Sequence, residues 1–239
     1  MSRVWAVCRK EFWGYFNSLI AYIFSVIFLG AVNTLYIWWV LVPSGQVNLS
    51  AYFEFLLYGM WFIIPAITMR AWAEEKKLGT DELLLTLPVS DWEAVLGKYF
   101  AGFLFFALII LLSLLVPISA ALLGRPDWPA LICGYLGVLM VGAVFIAVGM
   151  TISSLTRSQP TAFVGSVILC LLLLGINDLL SRFGLPAWLG FLFSYIDVGE
   201  HFNSIARGVI DSRDVIYYLS LVFFFLVLNN YRLERRKWA

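Results

Sequence analysis

The sequence predicts an all-α integral membrane protein, a bundle of six transmembrane helices preceded by a helix at the membrane surface. Three observations predict it. The 239 residues are 62% hydrophobic and only 13% charged, with a mean hydropathy of +0.90. Water-soluble chains carry about 25% charged residues, so this one lacks the polar groups to cover a soluble surface. Six apolar stretches each approach the about 20 residues that a helix needs to cross hydrocarbon. Long runs such as 103–116 show none of the alternating polarity of a barrel strand. Hydrocarbon offers no partner to a free N–H or C=O, so such spans must be helices.

The elements follow in chain order. Val4, Val7, Cys8, Phe12, Tyr15 and Phe16 recur at helical spacing, with Arg3, Arg9 and Lys10 elsewhere on the turn. That is the pattern of an interfacial helix. The spans are expected over 18–42, 52–72, 99–123, 130–155, 161–180 and 214–231. Between the fourth and fifth, Pro160 suits a first helical turn, where its missing N–H is not needed. After the fifth, 185–196 is too short to span and apolar enough to dip into the membrane. Asp197-x-x-Glu200 then has capping spacing, and Phe202, Ile205, Ala206, Val209 and Ile210 form a helical stripe. His201, Asn203, Ser204 and Arg207 fall on the other side, and Asp211 and Arg213-Asp214 open the last span. No repeat, low-complexity tract or linker interrupts residues 1–239, which read as a single transmembrane domain.

Basic residues set the expected topology. Twelve of the sixteen Lys and Arg lie in the terminal segments and in the connections on the same side; Arg125, Arg182, Arg207 and Arg213 lie on the other. Both termini are therefore expected in the cytoplasm, with multiple crossings of the inner membrane of a prokaryote.

Several function classes are disfavoured. A net charge of +1 gives no basic surface for nucleic acid. Cys8, Cys133 and Cys170 have no pairing spacing, and one histidine makes a zinc site implausible. The deep positions of the spans carry no ionisable residue, against the habit of ion-coupled transporters. Glu54, Arg70 and Asp178 sit near span ends, where they serve as interfacial anchors. The Gly97-Lys98 pair has Trp92 where a phosphate-binding loop needs glycine. No catalytic residue and no bound cofactor is expected in this chain.

The connection between spans two and three is the most informative segment. It holds Glu74, Glu75, Asp81, Glu82, Asp91 and Glu93 beside Lys76, Lys77 and Lys98. Gly79 supplies a break, Thr80 suits an N-cap, and Asp81 and Glu82 favour the positive end of a helix. Leu83, Leu84, Leu85 and Leu87 follow, and Pro88 ends the helix. Ser90 and Glu93 have capping-box spacing. The segment reads either as an interfacial turn with its leucines in lipid or as a docking helix for a cytosolic partner.

This stretch resembles the permease subunits of type-2 ABC exporters, closest to the gliding-motility and nitrous-oxide-reductase-maturation branch. The resemblance rests on Glu74-Glu75-Lys76, Gly79-Thr80, Glu82-Leu83-Leu84, Thr86-Leu87-Pro88-Val89-Ser90 and Gly97-Lys98. It implies a coupling helix seated in a groove of a separate cytosolic ATP-binding subunit, which would hold the ATP and magnesium. The residues implied in that contact are Glu74, Glu75, Gly79, Thr80, Glu82, Leu83, Thr86 and Pro88, with Arg70 and Lys98 flanking and pairing with the acids. It also implies a second permease subunit, a copy or a paralogue, surrounding membrane lipid, and a periplasmic accessory protein. Between spans five and six it implies short re-entrant helices at the outer mouth, where Asp197, Glu200, His201, Arg207 and Asp211 fall. His201 also reads as an ordinary interfacial histidine. The competing function is a membrane anchor that moves no solute and holds an ATPase-driven motility or assembly complex.

Overall fold

The computed structural model describes residues 3–45, 48–80, 90–123, 128–181 and 194–236, with side chains at 120–123, 177–181 and 236 excepted. Helix α1 (Arg3–Phe16) leads into α2 (Leu19–Tyr36), which continues through a π-helical turn at Ile37–Leu41 to Ser44 as span one. Helices α3 (Leu49–Thr68) and α4 (Arg70–Leu78) form span two, and α5 (Asp91–Ser113) and α6 (Leu115–Leu123) carry span three. Helices α7 (Trp128–Leu155) and α8 (Gln159–Ser181) are spans four and five. A short helix, α9 (Val198–Ala206), precedes α10 (Ser212–Arg236), span six. The six apolar helices expected are thus present, and no strand occurs among the described residues.

Span four is the axis of the bundle. Helices α3, α4, α5, α8, α9 and α10 all pack on it. Its sequence is apolar on every side and places Gly134, Gly142 and Gly149 against Phe53, Phe106 and Thr68, so closely that a Cβ would collide with each. Small residues permit such approach between membrane helices. In spans two and four, 67% of the apolar window is buried, against 22% in span one and 17% in span five. Spans one and five therefore sit at the rim with apolar faces left open.

Three boundaries differ from the expected ones, each for a local reason. Span two runs on through α4, because 73–78 are good helix formers that stop only at Gly79, whose φ of 70° is left-handed. Span three starts at Asp91, where the Ser90–Glu93 capping box begins a helix in polar surroundings. Helix α9 ends at Ala206, so the expected stripe stops short and Val209 and Ile210 are exposed. The expected helix from Thr80 to Pro88 falls on 81–89, outside the described residues. So does most of the expected dip at 185–196, of which 194–196 is described as a helical turn.

The N-terminal helix does more than lie on a surface. Arg3 meets Glu93 at 3.9 Å, Val7 faces Gly97, Glu11 meets Lys98 at 3.4 Å, and Tyr15 stacks on Phe105 at 4.9 Å. The pairs advance together, so α1 and the start of α5 run side by side in the same direction.

Candidate functional site

The chemistry of the α1 end of the bundle begins at a break in span two. Pro65 removes one ladder donor from α3, and the helix is interrupted at Met69. A serine from span four enters this break. Ser153 donates to the Met69 carbonyl at 2.9 Å and accepts from the backbone N–H groups of Trp72 and Ala73, each at 3.1 Å. One hydroxyl has one donor and two acceptor lone pairs, so Ser153 is saturated. Gly149, one turn earlier, faces Thr68. The break is thereby bolted to span four, and α4 leaves it in a defined direction.

Helix α4 carries the charges. The Arg70 guanidinium donates to Glu74 at 2.7 Å and to the hydroxyl of Ser18, the residue that opens span one. Lys76 is buried and donates to the Ser154 carbonyl, in the last turn of α7, where a cation also complements the helix dipole. Lys98 on α5 is 3% exposed. Its ammonium meets Glu75 at 2.7 Å and Glu11 at 3.4 Å, and lies 4.8 Å over the Trp72 ring. A buried cation needs such compensation. Glu75 Oε2 has no hydrogen-bond partner among the described residues, so the Lys98 contact to Oε1 is the one that holds this carboxylate there. Arg70 and Lys98 thus reach Glu74 and Glu75 as the flanking cations were expected to do.

Both edges of the 81–89 segment are fastened. On one side the Thr80 N–H donates to the Glu75 carbonyl at 3.0 Å, the closing bond of the left-handed Gly79 cap, and its hydroxyl donates to the same carbonyl at 3.4 Å. On the other, the Ser90 N–H donates to Glu93 at 2.8 Å and the Glu93 N–H donates to the Ser90 hydroxyl at 3.3 Å. Glu82, Leu83, Thr86 and Pro88 lie between these edges, outside the described residues. A cavity of about 580 Å³ opens beside the edges, lined by Glu11, Tyr15, Arg70, Glu74, Glu75 and Lys98 among others. Burial, with Glu11 adding to it and Arg70 opposing it, pushes the Tyr15 phenol above its usual range.

The other end of the bundle is organised around α9. Asp197 is buried and caps α9 by accepting from the Gly199 N–H at 2.7 Å. Phe202 and Ile205 pack against Gly137 of span four. His201 Nδ1 lies 2.7 Å from Asp214 Oδ1, its ring stacks on Tyr217 at 4.0 Å, and Nε2 lies 3.3 Å from the Tyr195 carbonyl. It is a histidine with every polar atom engaged. Glu200 borders a cavity of about 220 Å³ with Glu54 and Asn203. Arg207 caps the exposed end of α9, and Asp211 accepts from the Arg213 N–H at 2.9 Å. Of the five residues expected here, Asp197 and Glu200 line this one cavity, while His201, Arg207 and Asp211 make the local contacts given above.

Sequence reasoning missed Glu11, Ser18, Ser153 and Ser154 as parts of the site at the α1 end. Glu11 was findable. It falls between Val4, Cys8 and Tyr15 on the apolar face of α1, where a carboxylate signals a buried cation across the interface. Ser153 sits four residues after Gly149 and reads only as a packing group.

A family model described as ABC-2 family transporter protein matches residues 40–228, well over half of the chain. The chain belongs to the ABC-2 transporter family. It is also similar to the probable multidrug ABC transporter permease YbhR of Escherichia coli strain K12 and of Escherichia coli O157:H7. With each it is 24% identical over 162 residues, 62% of this chain and 43% of the relative. The chain spans less than half the length of these curated relatives. Membership in the ABC-2 family, with six apolar helices, makes this a multi-pass membrane protein. The family match includes span two, the start of span three and α9, whereas α1 with Glu11 lies ahead of it.

Proposed function

We propose that this ABC-2 chain couples ATP hydrolysis in a separate cytosolic subunit to export of substrate across the inner membrane of a prokaryote. The observation that carries the reading is the fastening of both edges of 81–89 into a network that joins four helices. Lys98 links span three to α4 through Glu75 and to α1 through Glu11. Ser153 links span two to span four. In this account Glu82, Leu83, Thr86 and Pro88 seat in the ATP-binding subunit, which holds ATP and magnesium. Closure of two such subunits pushes on the segment, and the network passes the displacement to spans one to four. Both termini lie in the cytoplasm, and a second permease subunit, a copy or a paralogue, completes the path. A periplasmic accessory protein would dock at the α9 end. The charge and glycine spacing of 74–98 supports the gliding-motility and nitrous-oxide-reductase-maturation branch within the family. The relatives are described as multidrug permeases. Together with the apolar spans, that description supports an apolar or lipid-like cargo.

One observation favours the anchor reading as the alternative. Most polar groups of the spans are consumed in helix contacts. Ser113 meets Tyr135 at 3.1 Å, the Tyr52 hydroxyl donates to the Ser113 carbonyl at 2.9 Å, and Thr151 donates to the Phe225 carbonyl at 2.9 Å. The test is ATP turnover in the purified complex. Glu82→Lys should leave membrane insertion intact and lower turnover; unchanged turnover would remove the coupling role from this segment.

A further inference from the structure

We propose that the outward face of α1 and the adjoining face of α5 form a binding site for one anionic phospholipid. Trp5, Arg9 and Trp13 follow at four-residue spacing, so they share one face of α1, away from the contacts that α1 makes with α5. This face borders a cleft of about 330 Å³, completed by Cys8, Phe12 and Leu104. Trp5 and Trp13 are 49% and 58% exposed, although they are the largest apolar side chains of the helix. Arg3 pairs with Glu93 and Lys10 with Glu11, whereas Arg9 has no ionic or hydrogen-bond partner among the described residues. An unpaired guanidinium between two tryptophans is a receptor for a phosphate group at the membrane boundary.

The position of the cleft identifies the occupant. Helix α1 ends at Phe16, and span one begins at Leu19, so Trp13 sits close to the edge of the hydrocarbon. From Leu104 the exposed apolar face of α5 continues along span three to Leu111, which is 60% exposed. A headgroup phosphate on Arg9 therefore has a track for its acyl chain directly below it. A soluble anion would use Arg9 and leave the track empty. A zwitterionic lipid would fill the track but bring its own cation to Arg9. The combination selects an anionic phospholipid of the leaflet at this end of the bundle.

The test is native mass spectrometry of the full chain, purified with its accompanying subunits and titrated with dioleoylphosphatidylglycerol or dioleoylphosphatidylcholine. The wild-type protein should retain one phosphatidylglycerol in preference to phosphatidylcholine. Arg9→Gln should weaken that retention about fivefold and leave phosphatidylcholine unchanged, while Arg9→Lys keeps most of it. Trp13→Ala should weaken both lipids. Glycerol phosphate, which has the anion without the chains, should not displace the lipid. Equal retention of the two lipids by the wild-type protein would overturn the proposal without any variant. So would equal retention by Arg9→Gln, or displacement by glycerol phosphate.

Discussion

Lys98 shows how much one residue can organise. It is buried, bound to two carboxylates from different helices, and covered by Trp72. Removing one member of a buried ionic group leaves the others uncompensated, which costs about 3 kcal/mol. Lys98→Met should therefore lower the thermal unfolding temperature of the purified chain markedly, and adding Glu75→Gln should recover part of the loss. His201 makes the same point at the α9 end. Asp214 is buried and its Oδ2 has no hydrogen-bond partner among the described residues, while His201 supplies the contact that satisfies the other oxygen. His201→Phe keeps the stack on Tyr217 and removes that contact, and should cost about 2 kcal/mol in an unfolding assay. At this scale the sequence was only partly legible. The Arg70 and Lys98 pairings could be expected from the run of acids beside them. Ser18 and Ser153 could not, because a serine in an apolar helix carries no sign of which backbone break it will enter.

The elements were more legible, because apolar length and capping residues act locally. The Ser90–Glu93 box starts span three, Asp197 caps α9, and Gly79 ends α4, each from residues adjacent in sequence. The partners of such elements were not foreseen. Helix α4 forms from the good helix formers at 73–78, but that its Lys76 and Glu75 reach spans four and three is not written in those residues. The packing of span four yields a contrast between glycines. Gly142→Ala drives a methyl group into the Phe106 ring, whereas a methyl at Gly30 in span one meets nothing within 4 Å. Gly142→Ala should cost about 1–3 kcal/mol in thermal unfolding. Gly30→Ala should cost nothing, and a similar loss at both positions would show that span four is not packed as closely as described.

At the scale of the whole molecule, hydropathy alone was enough for the all-α bundle and its six spans, because the bilayer permits few alternatives. Which helix forms the axis was not readable, since spans three and four are equally apolar and differ mainly in where their glycines meet aromatic rings. The open apolar faces belong to spans one and five, and the charged network gathers at the α1 end. The central claim is that the segment between Thr80 and Ser90 is where an ATP-binding subunit joins. The most direct measurement is the mass and stoichiometry of what co-purifies with the tagged chain after gentle extraction from its native host. A stoichiometric ATP-binding subunit is expected, lost when Glu82→Lys and Leu83→Asp are combined while the chain itself remains folded in the membrane. A chain recovered alone, or one that keeps the ATP-binding subunit despite both changes, would contradict it.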